Sequence, residues 1–176
     1  MKKNSIVLVF LALFFGISSY AAIDVFSHPS TSKNISSHMN RLRDVSCKFT
    51  QRKNINGTSL VSGGNFRFDS KKGAVFETTY PIKSTVAYGS GQNKQVNDII
   101  IAVSNKNYAY LDRNFDLYFI TMDNGNWTIG LKPKSNSAVH SQLHNIVIDG
   151  KRDISRIQIS TVKNGITDIF FRCEPN

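Results

Sequence analysis

The sequence predicts a mainly β, α+β domain in which roughly nine short antiparallel strands form one large curved sheet covered by a few helices. Three observations lead there. Apolar residues recur at every second position in segment after segment. Turn formers such as Asn56-Gly57, Asp123-Asn124-Gly125-Asn126 and Asn164-Gly165 separate those segments, and only one early segment has a clear helical spacing.

The first 21 residues stand outside this domain. Lys2 and Lys3 are followed by an apolar run over residues 6–17 and then by Ser19-Tyr20-Ala21, whose small residues fit a signal-peptidase site. A cleaved signal peptide is therefore expected at residues 1–21 and a single domain at residues 22–176. The apolar run is too short for a permanent span, and no Cys follows it that could be lipidated. Export into a periplasm is the implied localisation.

From there the elements follow in order. Ile35, Met39, Leu42 and Val45 lie at spacings of four, three and three, with Ser30, Thr31 and Ser32 as possible N-caps, which predicts an N-terminal amphipathic helix. After Val45 the period becomes two. Cys47, Phe49 and Gln51 share one strand face against Lys48, Thr50 and Arg52, and residues 54–57 turn the chain. Gly63-Gly64 divides a short strand from one in which Phe66 and Phe68 oppose Arg67 and Asp69. Residues 70–73 turn again, and a strand over 75–80 stops at Pro81. The first half is thus a meander.

In the second half, Val96, Ile99, Ile100 and Val103 have helical spacing, while the β-branched run Ile99-Ile100-Ile101 equally fits a buried strand. Residues 117–121 and 127–131 read as a hairpin. A Ser/Lys/Pro loop and a short helix over 137–144 come next, then strands at 146–148, 154–161 and 165–173.

Cys47 shares a face with Phe49, and Cys173 shares one with Phe171 and Ile169, so both thiols lie on the more apolar side of the sheet. In an oxidising compartment a Cys47–Cys173 bridge is expected, the alternative being two buried free thiols. With Lys and Arg totalling 22 against 12 Asp and Glu, the net charge is +10. The cations are scattered, which points to a face drawn to anionic lipid or an acidic partner and away from nucleic acid.

Catalytic patterns are missing. The chain has no G-x-S-x-G elbow, no H-E-x-x-H, no phosphate-binding glycine loop and no C-x-x-C. His140 and His144 are four apart, which on a helix would align two imidazoles, but no third metal ligand follows at a recognisable spacing. No enzyme activity, metal or cofactor is expected.

One ordered set of residues goes further. Behind the N-terminal helix come Phe49-Thr50-Gln51, Gly64-Asn65-Phe66-Arg67-Phe68, Phe76-Glu77-Thr78-Thr79-Tyr80-Pro81, Trp127-Thr128-Ile129-Gly130-Leu131-Lys132-Pro133-Lys134, and a last hairpin ending in Ile169-Phe170-Phe171. Their order and spacing resemble the LolA-like outer-membrane lipoprotein carriers, over roughly residues 32–171. The resemblance implies an incomplete antiparallel β-barrel with an N-terminal helix and lid helices over its concave face. It also implies a periplasmic carrier that binds the acyl chains of lipoproteins, or of a related lipid, and shuttles them towards the outer membrane. The implied partners are an inner-membrane releasing transporter and an outer-membrane acceptor, with the carrier itself a monomer. A periplasmic adaptor or sensor that binds a protein partner, or a carrier of another acyl or polyene product, is the alternative.

On that resemblance the acyl-binding lining is Phe49, Phe66, Phe68, Phe76, Leu117, Phe119, Trp127, Ile129, Leu131, Ile157, Ile159, Ile169 and Phe171. The lid is the segment carrying Val96, Ile99, Ile100 and Val103. Where the family has a latch Arg this chain has Ser70, with Lys71 beside it as the latch candidate. A Lys lacks the planar five-donor fork of Arg and makes a weaker latch.

Overall fold

A computed structural model describes residues 24–39, 44–69, 73–87, 94–104 and 107–173. The expected signal peptide, Ser70 and Lys71 lie outside the described residues. After a short 3-10 turn at Val25–Ser27, the elements are β1 (Pro29–Ser30), α1 (Ser32–His38), β2 (Val45–Ile55), β3 (Thr58–Asp69), β4 (Gly73–Tyr80) and β5 (Ser84–Ala87). They continue with α2 (Lys94–Ser104), α3 (Tyr108–Asn114), β6 (Phe115–Thr121), β7 (Trp127–Pro133), β8 (Leu143–Gly150), β9 (Ile154–Thr161) and β10 (Ile166–Cys173).

All ten strands form one antiparallel sheet in the order β1-β6-β7-β8-β9-β10-β2-β3-β4-β5. The sheet curls without closing, so the fold is an incomplete barrel. Each half is a meander, because hairpins join strands that are neighbours in sequence. The halves meet where the last strand pairs with the first long one, from Ile166 opposite Asn54 to Cys173 opposite Cys47. There the two sulfurs are 2.07 Å apart in a disulfide spanning 126 positions of sequence.

Turn chemistry sets the register. Asn56 and Gly57 both have positive φ, at 50° and 82°, the pairing that a tight two-residue hairpin needs to match strand twist. Gly63 and Gly64 do not divide two strands. They form a bulge within a single β3, where a Cβ on Gly64 would lie 1.9 Å from the Glu77 carbonyl oxygen. Only glycine lets β4 approach that closely.

Several elements differ from the sequence expectation. The helix α1 is capped by the Thr31 hydroxyl, which accepts from the Asn34 amide at 3.2 Å, but it ends at His38. Val45, assigned to that helix by spacing, begins β2; a strand pairing with both β3 and β10 outweighs one more helical turn. Between β7 and β8 there is no helix over 137–144: successive turns lead directly into β8, with Ser137 N–H donating to Lys134 O and His140 N–H to Ser137 O. Strands β1 and β5 and helix α3 have no counterpart in the expectation, being too short for periodicity to register. The ambiguous segment around Ile99 is the helix α2.

The convex side is partly covered too. Val25 and Phe26 pack against Gly130 on β7, where a Cβ would come within 2.9 Å of the Phe26 ring. The Lys132 ammonium sits over the rings of both Phe26 and Tyr118, at 4.7 and 5.2 Å from their centroids.

Candidate functional site

Curvature gives the sheet a concave face, and alternation decides what lines it. Along β2 to β4 the inward side chains are Cys47 and Phe49, Phe66 and Phe68, and Ala74 and Phe76; from β6 to β10 they are Phe115, Leu117, Phe119, Trp127, Ile129, Leu131, Ile146, Ile148, Ile157, Ile159, Ile169 and Phe171. All thirteen lining candidates from the sequence are buried and belong to one contiguous cluster. Ala74, Phe115, Leu143, Ile146 and Ile148 share it without having been singled out. Ile146 and Ile148 were legible as an alternating pair, whereas Leu143 reaches the same face through a bulge at His144 that shifts the register.

The wall formed by β10, β2, β3 and β4 is aromatic. Phe66 lies 4.8 Å from Phe76 and 4.7 Å from Phe171, and Phe49 meets Phe76 edge-on at 5.2 Å. These tilted and T-shaped contacts leave flat ring faces and no hydrogen-bonding atom on the wall. Opposite them, Trp127 lies across Gly150, and its indole N–H donates to the Lys151 carbonyl at 2.6 Å, so its one polar atom points out at the rim.

Helices fill the concavity. Ile99, Ile100 and Val103 of α2 are buried in the same cluster as the sheet residues, together with Ile35 of α1, Met39 just after it and Leu111 of α3. Val96 falls within α2, its side chain outside the described residues. At its C-terminal end α2 rests over the disulfide: Ile100 and Ser104, with Phe66, Phe68, Ile154 and Cys173, enclose a gap of about 20 Å³. Such a space holds about one water. That gap is too small for an acyl chain.

Two phenols of α3, beside α2, are shifted. Burial pushes the Tyr108 phenol above its ordinary value; the nearby Ser36 of α1 pulls weakly the other way, though among the described residues no hydrogen bond of ordinary geometry reaches the buried phenol oxygen. Burial also raises Tyr110, and the charge of Asp98 on α2 adds to the effect. His140 lies in the turns before β8 and His144 at the β8 bulge, both exposed and on no common helix face. Among the described residues no three His, Cys, Asp or Glu side chains converge on a possible metal position. No helix among them is long and apolar enough to cross a membrane.

No protein-family model matches the chain, and no curated protein matches it. Among solved structures it is similar to the LolA superfamily protein NE2245 from Nitrosomonas europaea, at 8% identity and a TM-score of 0.42, over 81% of this chain and 92% of that one. It is also similar to a DUF1329 family protein from Desulfovibrio piger ATCC 29098, at 12% identity and a TM-score of 0.36, over 80% and 88% of the two chains.

Proposed function

We propose that this protein is a periplasmic, non-enzymatic carrier whose concave face binds acyl chains, those of lipoproteins first among them, once α2 has moved aside. The observation that carries the proposal is the chemistry of the contact between α2 and the sheet. It is apolar on both sides, and the helix is held over an aromatic wall by Ile99, Ile100 and Val103.

Magnitudes favour an exchange. Exposing those three side chains costs roughly 5–9 kcal/mol, at about 1.5–3 kcal/mol each. Burying one acyl chain of about 14 methylenes returns about 11 kcal/mol at about 0.8 kcal/mol per methylene. Replacing helix by lipid is therefore close to balanced, as a carrier that must also release its load requires. Delivery towards the outer membrane, with a releasing transporter on one side and an acceptor on the other, completes the reading.

Mass spectrometry of solvent extracts from freshly purified protein tests it. Stoichiometric diacylated or triacylated species, or another single class of acyl lipid, are expected. Protein that stays free of lipid in every preparation, and that takes up no fluorescent fatty acid, refutes the carrier reading.

A further inference from the structure

The β2–β3 hairpin outruns the core. Phe49 is the last fully buried residue of β2, and β4 stops where Tyr80 meets Gly63, so among the described residues no strand pairs with the tip of the hairpin on its β3 side. On the other side β10 follows only as far as Ile166 opposite Asn54. Two exposed faces remain, and both carry apolar side chains. Ile55 and Leu60 lie diagonally on the face continuing the concave side, while Val61, opposite Arg52, is on the other. Leu60 is 59% exposed and Val61 47%. The neighbouring β9–β10 turn adds Val162 and Ile166 at the same end of the sheet, 53% and 44% exposed.

Charge at this end has one sign. Arg52, Lys53 and Lys163 are interleaved with those apolar residues, and neither residues 52–62 nor residues 160–167 contain an Asp or Glu. The carboxylate facing Arg52 across the ladder, Asp168, is taken up by Arg156, which donates to it at 2.8 Å. An apolar patch on an acidic protein would satisfy the charge but not apolar side chains on both faces of a two-stranded tip. A bilayer interface accepts both faces at once, with the side chains among the upper methylenes and the cations at the headgroups.

We propose that the β2–β3 tip and the β9–β10 turn together dock this protein reversibly on anionic lipid bilayers. The docking is separate from acyl binding, since these residues lie beyond Phe49, past the buried end of the sheet and its aromatic wall, and either can fail alone. Each cation near an anionic surface strengthens partitioning about fivefold, so the three together contribute about a hundredfold.

Co-sedimentation of the full chain with vesicles of one-third phosphatidylglycerol in phosphatidylcholine, and with pure phosphatidylcholine, is the test. Binding to the anionic vesicles is expected, together with loss at high salt. Arg52→Gln, Lys53→Gln and Lys163→Gln combined should lower it about a hundredfold, and Leu60→Ser with Val61→Ser should lower it at both salt levels. All five positions are beyond the core, so melting temperature and fatty-acid uptake should stay at the unsubstituted values. Failure of the unsubstituted protein to bind anionic vesicles at low salt overturns the proposal. So does binding that both variants retain.

Discussion

Truncating Ile100 to alanine should lower stability and raise acyl affinity at the same time. Ile100 is 1% exposed, and it closes the gap above the disulfide from α2. Removing its outer carbons costs about 2–4 kcal/mol of folding stability, as for other large-to-small changes in packed sites. If α2 is a lid, the same loss falls on the closed state only, because the open state has already exposed this side chain. The closed-to-open equilibrium then shifts by that amount. Apparent affinity for an acyl probe rises by up to the same free energy, about 30-fold for 2 kcal/mol, until the open form predominates. With only 11 residues, α2 is too short to be a stable helix unsupported, so nothing but its contacts holds it in place. Urea unfolding and a fluorescent fatty-acid titration on the same preparation read the two effects. Ile129→Ala is the control: Ile129 is equally buried but belongs to the sheet, so its loss should cost stability without improving uptake. Unchanged or weakened probe binding in Ile100→Ala would show that α2 is permanent core and sink the lid mechanism.

Other outcomes follow from single features. Replacing Cys47 and Cys173 together by alanine opens a loop of 126 positions and should cost about 5 kcal/mol, lowering the melting temperature by roughly 10–20 °C; a drop under about 2 °C would show that pairing along β10 and β2 suffices. Gly64→Ala should destabilise by about 2–4 kcal/mol in urea, since its Cβ meets the Glu77 backbone, whereas Gly57→Ala, with open space but φ of 82°, should lose about 1–2 kcal/mol; equal losses would contradict the close-approach account. In alkali, the raised phenols of Tyr108 and Tyr110 set the sign. Their neutral forms stabilise fully below the ordinary value of 10.0, and that contribution disappears as pH rises through the higher folded values. Thermal stability should therefore fall above about pH 10, and a Tyr108→Phe, Tyr110→Phe variant that melts with the same alkaline dependence would argue against it.

Legibility of the site tracked the range of the interactions involved. Phe66 against Arg67 and Phe68 against Asp69 announce an inward face through neighbours in sequence, and a two-residue period needs nothing else to place them. The helix α3 and the edge strands β1 and β5 are too short for a period to repeat, and β1 in addition pairs with β6, far along the chain, so local pattern carried no trace of them. For Val45 the pattern was misleading: its helical spacing was real, yet pairing opposite Phe68 decided its state.

By itself, the sequence determined the alternation that makes one face of each long strand apolar, the hairpin turns at Asn56-Gly57 and Asn164-Gly165, and the side on which both cysteines fall. These depend on φ preferences and on the pleat, both properties of adjacent residues. Tertiary structure alone decided that β10 pairs with β2 so that Cys173 stands opposite Cys47, that the sheet remains open, and that Ile99-Ile100-Ile101 is a helix lying in the concavity. That last choice has a physical cause in packing. A β-branched apolar run can satisfy its backbone as helix or strand, and the curved aromatic face beneath it, built from strands more than 20 positions away, offers a groove for a helix and no free strand edge within it.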